Sequence, residues 1–224
     1  MSTRPVFEVM PYAPYFSEQT VEFKWNRGLN INQQRKNVIA VHASYAVMHP
    51  ERRILEISSR SLAEEGRALS AFKLMKFVPS REVSLPVENL YQGGKIFELG
   101  GPFTDMYDVP PMRAKKDERL HTLGHVTGFY FEGRTYSREH YDAFYNWLYI
   151  NALMENPELA QPLLSYDGFT DLAFNPKKGK SCQARSAAIY VSLTKLGRLG
   201  LVRDFDSFVD AIYGNAEAHA GLGA

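Results

Sequence analysis

The sequence predicts an α+β fold, predominantly helical, arranged as one domain with short antiparallel strands and an N-terminal β ribbon. Three observations carry that expectation. "TVEFKW" alternates apolar and polar residues as a half-buried strand does. "SREHYDAFYNWLYINALMENPELAQPLLSY" holds the strongest helical periodicity in the chain. With 224 residues, 45% of them hydrophobic, the chain can bury one large core, and neither an internal repeat nor a domain-scale linker interrupts it.

Taken in order, "RPVFEVMPYAPYFSEQTVEFKWNRGL" mixes Val, Phe, Tyr and Trp with prolines and predicts an antiparallel ribbon. From Ile31 to Val47, Val38, Val41, Tyr45 and Ala46 recur at helical spacing behind Asn30, a suitable N-cap. "RILEISS" and "ALSAFKLMKF" read as strands flanking the polar "RSLAEEGR". "SLPVENLYQGGKIFEL" predicts a helix from Ser84 or Leu85 to about Phe97, with Pro86 in its first turn. "ELGGPFTDMYDVPPM" is a loop long enough to suggest function, and "AKKDERL" a solvated turn of helix. "HVTGFYFEGRTY" reads as a strand. Ser137 is the candidate N-cap of the long helix, whose apolar stripe is Phe144, Trp147, Leu148, Ile150 and Leu153; Pro157 should end it and begin the next. "DGFTDLAFNPKKGKS" is loop and turn, "CQARSAAIYVSLTKLGRL" and "DFDSFVDAIYG" are closing helices, and the tail "NAEAHAGLGA" is expected to fray.

Lys and Arg number 26 against 25 Asp and Glu, a formal net charge of +1. No global field therefore draws the chain to nucleic acid or an anionic membrane, so any nucleic-acid contact must be local. Cys182 is the single cysteine, which excludes an internal disulfide and fits a reducing compartment. No secretory signal and no apolar run of bilayer length are evident, so the expected location is cytoplasmic, without membrane contact. His121 and His125 are four apart, but no third ligand lies nearby and no metal site is expected. Neither G-x-G-x-x-G nor a P-loop occurs, and no cofactor is expected.

The chemistry-bearing pattern is Glu88, Gln92 and Lys95. On a helix they lie within about 60° of one another, beside the apolar face of Val87, Leu90, Tyr91, Gly94 and Phe97. Glu88 and Lys95 would be about 10 Å apart by rise, too far for a simple intrahelical ion pair but able to reach one ligand. Gly93 and Gly94 each cost about 1 kcal/mol in a helix, which makes sense where another backbone or a ligand comes close. A surface i, i+4 pair with a solvated lysine would give the same pattern. Trp147 lies on the core stripe, yet its indole could stack on a base; Phe72 has the same ambiguity. Asp171 could cap a turn or hold ribose hydroxyls, and Asp105 sits in a glycine loop of the kind that closes over phosphates. Lys177, Lys178, Lys180 and Arg185 form a local positive run, either a solvated face or a phosphate contact.

"VENLYQGGKIF" resembles the Glu-x-x-x-Gln-x-x-Lys helix of the NADAR family, N-glycosidases acting on ADP-ribose and related ribosylamines. "LSAFKL" resembles the family's Phe-Ser-Asn-Phe entry motif, "NPELAQPLLSYDGFTDLAFNP" its Asn-Pro-Glu-Leu…Leu-Leu stretch and "CQARSAAIYVSL" its closing helix. The likeness spans roughly residues 68 to 196. With the N-terminal ribbon, "GGPFTD" and "FYNWLYINAL", the chain looks most like the branch that serves as antitoxin to DarT-type DNA ADP-ribosyltransferases. That resemblance implies one domain over 1–224, a 1–67 extension and a 68–213 catalytic core, acting on ADP-ribosylated guanine in DNA, with free ADP-ribose as a further ligand and a DarT-type toxin as functional partner. It implies catalysis by Glu88 and Lys95, through either a carboxylate-assisted oxocarbenium ion or a Lys95 imine, and substrate contacts from Ser70, Phe72, Gln92, Asp105, Trp147 and Asp171. The motif's Asn is Ala71 here, leaving Ser70 or Lys73 to replace it. A ribosylamine of riboflavin synthesis as substrate, or ADP-ribose binding without turnover, are the alternatives.

Overall fold

A computed structural model describes residues 1–28, 30–174 and 182–214. They form a single-domain α+β fold. In chain order the elements are β1 (Ser2–Val9), β2 (Phe16–Phe23), α1 (Ile31–Met48), β3 (Ile54–Glu56), α2 (Glu64–Ala68), β4 (Met75–Val78), β5 (Val83–Pro86), α3 (Val87–Gly93) and β6 (Lys95–Phe97). There follow α4 (Pro111–Lys115), α5 (Arg119–Thr122), β7 (Val126–Phe131), β8 (Arg134–Ser137), α6 (Ala143–Glu155), α7 (Pro157–Ala160), β9 (Gly168–Thr170), α8 (Gln183–Lys195) and α9 (Phe205–Tyr213).

β1 and β2 pair antiparallel from Ser2 opposite Phe23 to Val9 opposite Phe16, giving the expected ribbon. β9 joins β1 antiparallel and β3 parallel, so the sheet runs β2-β1-β9-β3 and ties the first residues of the chain to its last third. Asn30 caps α1 by accepting from the Gln33 amide, and Val38, Val41 and Tyr45 are its buried face. α6 is buried on nearly every side from Ala143 to Ile150, as a helix that is apolar all round must be. It packs on α8, α3, α9 and β4. Pro157 opens α7 immediately after α6, as its fixed φ suits a first turn.

Several boundaries differ from the sequence expectation. Ser137 does not cap α6: it is the last residue of β8, opposite Gly128, and the helix begins six residues later. "HVTGFYFEGRTY" is not one strand but a hairpin, turned at Glu132 (φ 48°) and Gly133 (φ 78°). Positive φ at both central residues is the I′ geometry that matches strand twist. "GFT" in the expected loop is β9, an interior strand, and "RSLAEEGR" contains α2. Of "ALSAFKLMKF", only Met75 onward is strand.

The largest correction concerns the segment from Ser84 to Phe97. Its first residues are β5, paired with β4; the helix spans only Val87–Gly93; and Lys95 begins β6, paired with Phe129. Gly94 is the joint. Its amide donates to Leu90 O and its carbonyl accepts from the Tyr130 amide at 2.6 Å. A Cβ there would stand 2.5 Å from the Tyr130 carbonyl and 2.8 Å from that of Leu90. The close neighbour is thus backbone. Gly94→Ala should cost about 1–3 kcal/mol, because two backbone carbonyls rather than a flexible side chain must move. Thermal unfolding of that variant checks it, and an unchanged melting temperature would contradict the close packing.

Candidate functional site

α3, α4 and the turns after β3, α2 and β9 enclose a cavity of about 620 Å³, a size suited to a small organic ligand. α3 supplies Glu88, Tyr91 and Gln92; the turn after α2 supplies Ser70 and Phe72; the stretch after β9 supplies Asp171, Ala173 and Phe174. Ser58–Arg60 line it after β3, Lys115 and Lys116 at the end of α4, and Tyr145 and Gln183 from α6 and α8.

Glu88, buried at 4% exposure, is held by its backbone amide donating to Ala71 O at 2.9 Å. Its Oε1 accepts from Gln92 Nε2 at 2.8 Å, and Gln92 Oε1 accepts from Lys95 Nζ at 2.6 Å. The β6 strand therefore brings Lys95 back toward the helix it has left, and carboxylate, amide and amine form one hydrogen-bonded row. Lys95 does not itself line the cavity; its Nζ lies 4.6 Å from the Tyr91 ring centre. Burial pushes its ammonium down to about 8, with nearby Glu88 opposing that shift and Lys115 adding to it. Lys115 Nζ is 3.6 Å from Glu88 Oε1 and 4.9 Å from the centre of the Phe72 ring, so its charge caps the row from the opposite side.

On the facing wall, Asp171 Oδ1 accepts from the Ala173 amide at 3.0 Å. It caps its own turn and lines the cavity at once. Burial raises its carboxyl to about 6, against the Gln183 hydrogen bond and the charge of Lys115. Behind it Glu56, 1% exposed, accepts from Ser58 Oγ at 2.5 Å, Thr170 Oγ1 at 2.6 Å and the Leu172 amide at 2.9 Å. One carboxylate thus fastens both wall segments, the one ending in Arg60 and the one carrying Asp171. Burial, and then the charge of Asp171, raise Glu56 to about 7. A carboxyl raised above its unfolded value holds its proton longer in the native state. Its stability contribution is complete below about 4.5 and is lost as pH rises through about 7. Glu56→Gln should therefore flatten the dependence of melting temperature on pH between 5 and 8; an undiminished slope would show that Glu56 does not titrate there.

Ser70 Oγ is buried at the cavity wall with no hydrogen-bond partner among the described residues. At the position of the missing Asn, the Ala71 amide donates to Gln183 Oε1 at 2.8 Å, so α8 fixes that turn. Lys73 is exposed and outside the lining.

Of the candidates read from the sequence, Ser70, Phe72, Glu88, Gln92 and Asp171 line one cavity, and Lys95 adjoins it. Trp147 and Asp105 lie elsewhere. The Trp147 indole donates to Val202 O at 2.8 Å and packs among Phe131, Tyr136 and Phe205, where no base can stack on it. Asp105 is exposed on a 3-10 turn and paired with Arg119 at 2.7 Å. Lys177, Lys178 and Lys180 fall outside the described residues; Arg185 is paired with Asp142 and, at 3.9 Å, with Glu18. Sequence reasoning missed Arg60 and Lys115, which lie in no motif, and Tyr145 and Gln183, which lie in family-like segments but on helices read there as core. Among the described residues no cluster of His, Cys, Asp and Glu could hold a metal, and no helix is long and apolar enough to cross a membrane.

The fold and cavity define a single-domain α+β protein whose candidate site is lined by Glu88 and Gln92, with the Lys95 amine hydrogen-bonded to Gln92 beside it. A family model described as DarT1-associated NADAR antitoxin matches residues 2–221, and the chain belongs to that family. No curated protein matches it.

Proposed function

We propose that the protein is an N-glycosidase that removes ADP-ribose from guanine bases of DNA and thereby reverses the modification made by its associated toxin. The observation that carries this reading is the Glu88–Gln92–Lys95 row at the cavity, with an amine depressed to about 8 within one bridging amide of a buried carboxylate. Family membership supplies the toxin association, and the ADP-ribosylated guanine is what the resemblance to the antitoxin branch implies.

The anomeric carbon of such a substrate bears a ring oxygen and an exocyclic guanine nitrogen, and it can ring-open to an imine. The Lys95 amine adds to that carbon, Glu88 takes the proton the amine loses as its imine forms, and the bond to the guanine nitrogen breaks as Glu88 passes that proton to the departing guanine amine. Water then adds to the lysine imine, the C–N bond to Lys95 breaks, and ADP-ribose closes its ring. Gln92 holds the two groups in register. Asp171 and Ser70 Oγ have acceptor and donor capacity for ribose hydroxyls.

The test is to incubate the protein with ADP-ribosylated single-stranded DNA and, separately, with ribosylamine intermediates of riboflavin synthesis. Release of ADP-ribose, with borohydride trapping of a protein adduct, is expected from the first. Release of ribose phosphate from the second alone, or binding without release, would overturn the proposal.

A further inference from the structure

The cavity continues onto the surface. A recess of about 670 Å³ is lined by Pro110, Met112, Arg113, Lys116, Asp117 and Glu118, with Arg119 at its edge. Met112 and Lys116 line both it and the cavity, so the recess opens off the cavity mouth along α4. Three cations and two acids line it, and two of the cations have no ion-pair partner among the described residues. Arg52, Arg81, Arg134 and Arg185 each hold a carboxylate within 3 Å. Arg113 and Lys116, both exposed, form no ion pair among the described residues. The acids beside them are largely taken: Asp117 and Asp105 both bind Arg119, at 2.9 and 2.7 Å, leaving Glu118 as the one acid of the recess without an ion pair among the described residues. Met112, beside them in the recess, is 52% exposed, an apolar contact in a polar rim.

Unpaired cations beside an exposed apolar side chain, at the lip of a cavity of about 620 Å³, are what a single strand needs as it leaves a modified base. We propose that the α4 recess carries the phosphodiester backbone flanking the modified guanine, with Arg113 and Lys116 as its phosphate contacts. This rests on the function proposed above. The same cations could instead serve the diphosphate of ADP-ribose, and the substrate's size separates these sources. A chain whose formal net charge is only +1 needs such a local track, because it has no global field to hold DNA.

The experiment compares hydrolysis of an ADP-ribosylated single-stranded oligonucleotide with that of the ADP-ribosylated guanosine nucleoside, which has the diphosphate but no flanking strand. For the wild type the oligonucleotide should have the lower KM, with an advantage that shrinks as salt rises. Arg113→Ala should raise KM for the oligonucleotide several-fold relative to the nucleoside and reduce the magnitude of the salt slope by about 0.7, the share of one phosphate contact to a single strand. Adding Lys116→Ala should deepen both effects, whereas Arg134→Ala, on a paired cation of β8, should leave the ratio alone. Equal losses on both substrates would assign these cations to the diphosphate and overturn the track. An unchanged ratio in the double variant would overturn it also. If the wild type hydrolyses neither substrate, the proposed function fails and the track falls with it.

Discussion

Lys95→Ala should abolish release of ADP-ribose from modified DNA and remove the borohydride-trapped adduct, a loss of 10³-fold or more. The amine's environment readies it for attack. With its ammonium pushed down to about 8, roughly a tenth of Lys95 is neutral at pH 7, against fewer than about one in a thousand for an ordinary lysine. Losing the nucleophile removes the covalent path itself. Stability should move the other way. The folded value lies below the unfolded one, so below about 8 the buried ammonium costs stability, and that cost disappears as pH rises toward 10.5, where neither state is protonated. Lys95→Met keeps most of the stem and removes the charge. Discounted for Lys95's partial exposure, the gain at pH 7 is about 1 kcal/mol, some 2–4 °C in melting temperature for a chain of this length, closing by about pH 10. Full activity in Lys95→Ala would sink both the imine route and its acid–base alternative.

How Lys95 reaches its neighbours shows what the sequence could and could not say. Its spacing from Glu88 and Gln92 placed the three residues on one strip, and they do form one row, but not on one helix. Gly94 ends α3 because the Tyr130 amide and carbonyl crowd it, and residue 130 is far away in sequence. Local signals sufficed where a cap or a proline fixed a boundary, as at Asn30 and Pro157. They failed where pairing decided. The Glu132–Gly133 turn lacks the Asn-Gly signature of its type, and β9 is three residues that become a strand only because β1 and β3 flank them. The site divides the same way. Short motifs pointed to Ser70, Glu88, Gln92 and Asp171, whereas Lys115 looked like part of a solvated charge run. Only the folding of α4 over α3 brings it to Glu88. Trp147 has the sequence context of a base-stacking residue as much as of a core one, and only the fold brings Val202 O to its N–H.

Glu88→Gln tests the row as a coupled unit. The substitution is nearly isosteric, and the new amide oxygen can still accept from Gln92, so geometry is preserved while charge and proton are lost. Without a group to protonate the departing guanine, kcat/KM should fall 10²–10⁴-fold, the usual worth of a positioned acid or base. The residual activity should also shift in pH. Glu88 is the charge that supports the Lys95 ammonium, while Lys115 opposes it. Neutralising Glu88 therefore moves the amine's titration below about 8, and Lys115→Met, which removes the opposing cation, moves it above. Opposite displacements of one limb, read in the pH dependence of borohydride trapping, would be hard to obtain unless Lys95 is the titrating group. Fold stability should not suffer in Glu88→Gln, since its buried charge faces an exposed lysine at 3.6 Å and the desolvation cost is relieved. A variant that keeps wild-type turnover, or whose trapping limb moves the same way as that of Lys115→Met, would remove Glu88 from the mechanism and leave Gln92 without a carboxylate to relay to.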